Sequence, residues 1–258
     1  MPLNADHFIV LVSDINQATH DYRVLGFTVQ ERADKVSHGV LYRFIVFEDS
    51  SYILLTAFTD PAVQARHRLA PILQEGEGWA DYSFMVANVA AVAARLSRLG
   101  SPVAVPVSVV NTLADGSEWG LKLLMAGRGT GGDDALPFAV EDVIGRHHRI
   151  PAWQPHANRA TSVETIRIAS MRPAATAACL TAITGAALEP LVSLFDGREA
   201  VRLGAEAGTA IEIFDDTSAP SLGRRGGGLY ELVLRGLTGT TTLDLVASHG
   251  ARIRGTAK

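Results

Sequence analysis

Apolar and polar residues follow one another along the first part of the chain in a regular order. The apolar, β-branched run from Phe8 to Val12 predicts a buried strand. Ser13-Asp14 is a helix cap, and the helix is predicted from Ile15 to Leu25, ending at Gly26. Further strands are predicted at Phe27 to Glu31, Val40 to Phe47 and Tyr52 to Phe58. The first unit therefore reads β-α-β-β-β.

The same order recurs after a shift of 74 residues, the interval from Gly26 to Gly100. Under this shift Val12, Asp14 and Leu25 fall on Val86, Asn88 and Leu99. Strands are then predicted at Pro102 to Val110, Glu118 to Met125 and Pro137 to Val143. Such internal repetition predicts a fold built from similar modules.

A third copy is predicted to contain a helix from Ala174 to Thr184, with Pro173 at its first position. Its strands are Thr165 to Ala169, Leu191 to Phe195, Ala200 to Leu203 and Thr209 to Phe214. A shortened fourth copy has a strand from Leu229 to Leu234 and a weak helix from Leu243 to Ser248. We expect residues 1–148 to hold copies one and two, and residues 161–258 copies three and four, packed as one unit.

Composition limits the class of protein. The chain has 258 residues, of which 47% are hydrophobic, enough for a substantial core. Its net charge of −4 disfavours nucleic-acid binding. No apolar stretch approaches the roughly 20 residues of a membrane span, and no basic region precedes Phe8, so we expect a cytoplasmic protein. The single cysteine, Cys179, excludes a Cys-rich metal cluster.

Several short motifs carry a family resemblance. They are Asp6-His7-Phe8-Ile9-Val10, Leu25-Gly26-Phe27, His38-Gly39, Tyr52 to Phe58, Leu136-Pro137-Phe138 and His156 to Ala160. In this order the chain resembles the vicinal oxygen chelate superfamily, and within it the glyoxalase-like domain proteins. The resemblance implies an α+β fold of repeated βαβββ modules that form cupped mixed sheets, with the fourth module shortened.

The resemblance also implies where a metal would bind. Family ligands come from the first and last strands of paired modules, and His7 holds the first-strand position. Leu54 stands where the family usually has a glutamate, and leucine cannot bind a metal. Glu141, on the last strand of the second copy, is the remaining acidic candidate. We expect His7 and Glu141 to be catalytic and, if an ion binds, to hold zinc, nickel, manganese or iron.

Other residues are candidates for substrate contacts. Arg43 suits a carboxylate or phosphate because its guanidinium is a planar fork. Asp81 is the residue that corresponds to His7 after the shift of 74 residues. The remaining candidates are His38, Tyr42, Trp119 and His156. Each has an alternative reading as a packing or surface residue, which the sequence leaves open.

Two functions remain open. In the first, the chain is an enzyme of lyase, isomerase or dioxygenase type acting on a small oxygenated molecule, with His7 as base or metal ligand. In the second, it is a metal-free protein that sequesters a small molecule such as an antibiotic. Both readings expect a small-molecule partner, with neither nucleic acid nor membrane. They leave open whether the chain forms a homodimer.

Overall fold

The computed structural model describes residues 3–36, 38–128, 130–194, 196–204, 208–217, 227–237 and 242–256. Its helices are α1 (Ile15–Val24), α2 (Pro61–Arg66), α3 (Ala70–Glu75), α4 (Val89–Arg98), α5 (Arg146–Arg149) and α6 (Pro173–Thr184). Its strands are β1 (Ala5–Leu11), β2 (Val40–Val46), β3 (Tyr52–Phe58), β4 (Gly78–Met85), β5 (Val107–Thr112), β6 (Glu118–Met125), β7 (Phe138–Ile144), β8 (Ser162–Ser170), β9 (Ala187–Ser193), β10 (Glu199–Gly204), β11 (Ala210–Asp215), β12 (Gly227–Arg235) and β13 (Arg252–Gly255).

The strands form two mixed sheets, ordered β2-β3-β1-β4-β7-β6-β5 and β13-β12-β8-β11-β10-β9. Within a module the first and last strands pair in parallel, as β1 does with β3, β4 with β7 and β8 with β11. Neighbouring modules join through antiparallel pairs, β1 with β4 and β8 with β12. The predicted α+β fold of repeated modules is confirmed.

The repeated caps explain why the modules share one local structure. Asp14 accepts hydrogen bonds from the N–H groups of the first turn of α1 (2.8 and 3.1 Å), and Asn88 does so for α4 (2.8 Å). Gly26, Gly100 and Gly185 follow the three module helices with φ of +85°, +72° and +75°. Only glycine adopts this left-handed conformation without strain, so each helix ends where the sequence predicts.

The predicted strand from Phe27 to Glu31 is wrong. Within it only Gln30 forms a ladder bridge, to Phe44. The backbone N–H of Thr28 donates instead to Nδ1 of His156 (3.0 Å), in the joint that leads to β8. The hydrogen bond from Thr28 to His156 therefore takes the place of a strand–strand hydrogen bond that the apolar pattern predicts.

Two further predictions differ for local reasons. Leu243 to Ser248 contains turns rather than a helix. Asp244 accepts from two following N–H groups as a helix cap does (2.9 Å each), but His249 and Gly250 then take positive φ (+52° and +76°), which ends the segment after little more than one turn. Strand β5 begins only after Pro106, since proline has no N–H for the ladder. Strand β9 ends at Ser193, and Phe195, the predicted end, lies outside the described residues.

One apolar core joins the two sheets. It includes, from both sheets, the fully buried residues Phe8, Leu55, Ile168, Ile213 and Leu232. Between the modules, Arg95 on α4 donates to the carbonyl of Ala182 on α6 (2.6 Å). The boundaries at residues 148 and 161 stay a prediction. None of the described helices has the length and apolar character needed to cross a bilayer.

Charged residues paired across strands occupy one face of the second sheet. The chain of ion pairs runs from β9 to β13 as Glu189–Arg202 (3.0 Å), Arg202–Glu212 (3.0 Å), Arg167–Glu212 (2.9 Å), Arg167–Glu231 and Arg254–Glu231 (3.4 Å). One charge from each strand is thereby neutralised by its neighbour.

His249 connects the last described turn to the first two modules. Its Nδ1 lies 2.5 Å from the carboxylate of Glu77, and its Nε2 lies 3.1 Å from that of Asp21. Hydrogen bonds from Gln17 and His249 lower the pKa of Asp21. Burial raises the pKa of Glu77, but hydrogen bonds from Ser13 and His249 outweigh burial, and the net pKa is lowered.

These carboxylates predict a pH dependence. Because both pKa values are lowered by folding, the stabilisation is present above the unfolded value of about 4 and is lost as the pH falls. We expect His249→Gln to lower Tm at pH 7 by about 2–4 °C and to reduce the further loss between pH 5 and pH 3. Thermal unfolding by circular dichroism measures this, with His147→Gln on α5 as control. Identical acid sensitivity in the two variants would contradict the prediction.

Candidate functional site

A cavity of about 580 Å³ lies on the face of the first sheet that turns away from the shared core. Strands β1, β2, β3, β5, β6 and β7 contribute to its wall, together with the segment between α2 and α3. Its apolar lining includes Ile9, Leu54, Leu121, Leu123, Phe138 and Val140. This volume and lining fit a small organic molecule.

His7 lines this cavity from the central strand β1. Its Nδ1 lies 2.7 Å from Oδ2 of Asp6 and 2.9 Å from Oγ of Ser83. An ionised carboxylate can only accept, so Nδ1 carries the hydrogen and Nε2 keeps a lone pair. No described residue forms a hydrogen bond with Nε2. The neighbours Asp6 and His7 can meet because the β1–β4 ladder is irregular between Ala5 and Phe8.

Asp6 is completely buried and is held by two arginines. Its Oδ1 accepts from Arg146 and from Arg149 (2.8 Å each), and its Oδ2 accepts a second bond from Arg149 (3.1 Å). Arg149 also donates to the hydroxyl of Tyr52 (2.8 Å) and to Asp142 (2.9 Å). The carboxylate of Asp6 and the guanidinium of Arg149 behind His7 are thus both hydrogen-bonded within the protein.

This pairing keeps the carboxylate ionised. Burial alone would raise the pKa of Asp6, but the hydrogen bond from His7 and the charge of Arg149 hold that pKa well below its usual range. A fixed negative charge therefore stands behind the imidazole. It stabilises the ring when Nε2 takes up a proton, as an orienting carboxylate does beside a general base.

Two rings fix the orientation of the imidazole. The ring of His7 stacks on Tyr52 with 5.0 Å between centres and 14° between planes. The ring of Phe138 meets it nearly edge-on, with 5.1 Å between centres. Since Asp6 fixes one nitrogen and two rings fix the plane, Nε2 has a single direction in which to meet a ligand.

Four of the predicted binding residues line the same cavity as His7, namely His38, Tyr42, Arg43 and Trp119. Burial raises the pKa of Tyr42, so its hydroxyl remains a neutral donor, and no described residue forms a hydrogen bond with it. Arg43 lies 3.2 Å from the carboxylate of Glu31 and donates to the carbonyl of Tyr42 (3.0 Å). Arg43 is therefore engaged within the protein itself.

Glu141 lies on the other face of β7. Strand side chains alternate, so Val140 faces the cavity and Glu141 faces α4. There its carboxylate accepts from the N–H of Val89 (2.9 Å) and pairs with Lys122 (3.1 Å). The hydrogen bond from Val89 lowers the pKa of Glu141, as expected at a helix N-terminus. The structure therefore does not bring Glu141 and His7 together.

Asp81 and His156 also lie outside the residues that line the cavity. In the β1–β4 ladder Asp81 pairs with Ile9. Asp81 is buried and pairs with Arg68 (2.5 Å) and Arg128 (3.3 Å). His156 is buried beside Phe27 and Phe47, where it holds the joint between the module pairs.

Comparison with known proteins identifies the family. The family model described as "Glyoxalase-like domain" matches residues 5–184. The chain belongs to this family. A search of curated proteins found no match.

Solved structures share the fold of this glyoxalase-like domain protein. A hypothetical protein from Staphylococcus aureus is 14% identical, with a TM-score of 0.67 over 98% of this chain and 100% of that one. A triple mutant of 4-hydroxymandelate synthase from Streptomyces coelicolor is 14% identical, with a TM-score of 0.60 over 96% and 73%. A xylose isomerase-like TIM barrel/4-hydroxyphenylpyruvate dioxygenase fusion protein is 11% identical, with a TM-score of 0.51 over 91% and 36%.

The donor set of this glyoxalase-like domain does not fit the divalent ion that the resemblance implies. A protein-held ion needs several nitrogen or oxygen ligands converging on one point. At the cavity wall His7 is accompanied by Leu54, Phe138 and Val140, none of which can coordinate. In the described part of the chain no three His, Cys, Asp or Glu side chains are grouped for this purpose. We derive no step through a metal.

Sequence reasoning missed three residues of this site. Arg149 secures Asp6, and Arg68 lies between the cavity and Asp81. Arg32 lies between two rings, 5.1 Å from the centre of Phe44 and 4.9 Å from that of Trp119. In the sequence, the adjacent Asp6-His7 pair was the signal that could have indicated Arg149, because a buried carboxylate needs a cationic partner. The other contacts depend on loops whose course the sequence pattern does not indicate.

Proposed function

We propose that this protein is an enzyme of lyase or isomerase type that removes a proton from a small oxygenated molecule, with His7 as general base. The supporting observation is the Asp6–His7 pair, which leaves Nε2 as a lone-pair nitrogen at the wall of an apolar cavity. A histidine base works near neutral pH. Positioned proton transfer of this kind contributes about 10²–10⁴-fold in rate.

The proposed step is an enolisation. Nε2 of His7 takes a proton from a carbon beside a carbonyl group. The electron pair of the C–H bond forms the C=C bond of the enolate, and the π pair of the carbonyl group moves to its oxygen. The hydroxyl of Tyr42, a neutral donor in the same cavity, donates a hydrogen bond to that oxygen. Return of the proton to the same carbon gives exchange, and loss of a neighbouring group gives elimination.

A second candidate is the sequestering protein. It is favoured by the apolar side chains at the strand positions beside His7, above all Leu54 and Val140, which add binding surface without chemistry. The names of two structural neighbours, a synthase and a dioxygenase fusion, favour an enzyme, but the identities of 14% and 11% support the fold alone.

Solvent-deuterium exchange distinguishes the candidates. Wild type is incubated in D₂O with a panel of small ketones, 2-oxo acids and 2-hydroxy ketones, and deuterium at the carbon beside the carbonyl is followed by proton NMR. We expect exchange of at least one compound above the buffer rate and loss of exchange in Tyr42→Phe. Binding without exchange across the panel would favour the sequestering protein and would refute the enzyme proposal.

A further inference from the structure

Arg68 and His7 both lie against one aromatic ring in the cavity wall. The guanidinium carbon of Arg68 is 5.6 Å from the ring centre of Phe138, and the ring centre of His7 is 5.1 Å from it. Both residues line the same cavity. A small ligand that rests on Phe138 therefore lies close to both the base and a cation.

Three other arginines line the cavity, and each is bound within the protein. Arg149, whose side chain is 3% exposed, would have to break its bonds to Asp6, Tyr52 and Asp142 together. Arg32 pairs with Asp34 through two bonds (2.7 and 3.0 Å) and also donates to a backbone carbonyl (2.7 Å). Arg43 contacts the carboxylate of Glu31 (3.2 Å) and donates to the carbonyl of Tyr42 (3.0 Å). Separating Arg149 or Arg32 from its carboxylates is costly because those carboxylates are largely buried.

Arg68 differs because it has one carboxylate partner, which keeps a second cation, and because its own side chain is more exposed. Asp81, which is 4% exposed, accepts from Arg68 (2.5 Å), but also from Arg128 (3.3 and 3.4 Å) and from the backbone N–H of Tyr82 (2.8 Å). Asp81 thus keeps its ionic and hydrogen-bond partners when Arg68 turns away. The side chain of Arg68 is 38% exposed, so it is also the more accessible end of the pair.

There is room for this movement. A second cavity of about 480 Å³ adjoins the first, and Arg68 and Leu69 line both. Arg68 therefore stands at the partition between two spaces, and its guanidinium can exchange the carboxylate of Asp81 for a carboxylate from a ligand. Arginine is suited to this exchange because its fork can bind a ligand carboxylate through two parallel hydrogen bonds, whereas Arg68 donates one to Asp81.

We propose that Arg68 recognises the carboxylate of the substrate, which is a small monocarboxylic acid with an apolar body lying over Phe138 towards His7. This inference rests on the proposed function for the site and specifies its substrate class. One cation that can leave its protein partner, beside the ring of Phe138 that it shares with His7, matches one negative charge. The apolar lining beside it favours a carboxylate over a phosphate dianion, which needs more donors.

The test compares acids with uncharged molecules of the same shape. Phenylacetate, 3-phenylpropionate and hexanoate are titrated against their primary amides at pH 7.5 by isothermal titration calorimetry. We expect at least one acid to bind wild type tenfold or more tightly than its amide. Arg68→Gln should reduce this acid-to-amide ratio to near one, while Arg68→Lys restores part of it and Arg66→Gln, at an exposed position of α2, leaves it within twofold.

Several results would overturn the proposal. They are equal affinity of acids and amides, an unchanged ratio in Arg68→Gln, the absence of binding by every acid, and tighter binding of inorganic phosphate than of the acids. Thermal unfolding of each variant controls for folding. The outcome is separable from the proton-transfer proposal, because His7→Gln should leave the acid-to-amide ratio unchanged while deuterium exchange tests the base alone.

Discussion

Replacing Arg149 by methionine is expected to lower the free energy of unfolding by about 3–5 kcal/mol, because it removes one member of a buried ion pair. Asp6 is 0% exposed and receives two hydrogen bonds from Arg149. Without them its charge is left with Arg146 and His7. Urea unfolding at pH 7, followed by tryptophan fluorescence, measures the change.

Arg146→Met is the matched control for this substitution. Arg146 also contacts Asp6, but its side chain is 27% exposed against 3% for Arg149, so we expect a loss well below that of Arg149→Met. The double variant Asp6→Asn, Arg149→Met should recover part of the loss, since no buried charge then lacks a partner. Equal losses for the two arginine variants would show that the Asp6 pairing does not control stability.

The pair of Asp6 and Arg149 also makes stability depend on pH. Because folding lowers the pKa of Asp6, its contribution is present above the unfolded value of about 4 and declines as the pH falls. Wild type should therefore lose more stability between pH 6 and pH 3 than Arg149→Met, in which the lowering of the pKa is smaller.

Replacing His7 by glutamine is expected to reduce proton exchange by about 10²–10⁴-fold on any compound that wild type turns over. Glutamine keeps much of the side-chain volume and can still meet Asp6 and Ser83, but it has no basic nitrogen. The rate of deuterium incorporation per enzyme measures the change, and unfolding curves check that the fold survives.

Glu141→Gln is the matched control for His7→Gln. Glu141 is the acidic residue that sequence reasoning pairs with His7, whereas its carboxylate in the fold caps α4 and contacts Lys122. We expect exchange within twofold of wild type and a stability loss of about 0.3–1 kcal/mol. A loss of exchange as large as that of His7→Gln would show that Glu141 takes part in the proton transfer.

The two sheets put similar modules to different uses. The first sheet surrounds a cavity, whereas one face of the second carries paired charges on neighbouring strands, with Glu212 and Arg167 at its centre. Such mutually neutralised residues are costly to separate and offer little to an apolar ligand. The candidate site therefore lies in the first two modules and the joint that follows them.

The sequence by itself determined the modules. Asp14 and Gly26, with their counterparts Asn88 and Gly100, fix the ends of helices through bonds to the adjacent backbone, and such local signals can be read from one chain. It also placed His7 on a buried first strand. The failed strand at Phe27 to Glu31 shows the limit, since its partner is 128 residues away.

Only the tertiary structure decided the chemistry of the site. Arg149 reaches Asp6 across 143 residues, and no spacing in the sequence announces that contact. The β1–β4 register pairs Asp81 with Ile9, where its carboxylate binds Arg68 and Arg128, and the alternation of β7 turns Glu141 towards α4. The backbone of each module follows from neighbours in sequence, whereas the partner of each charged side chain follows from register, bulges and loop paths that only the assembled sheets define.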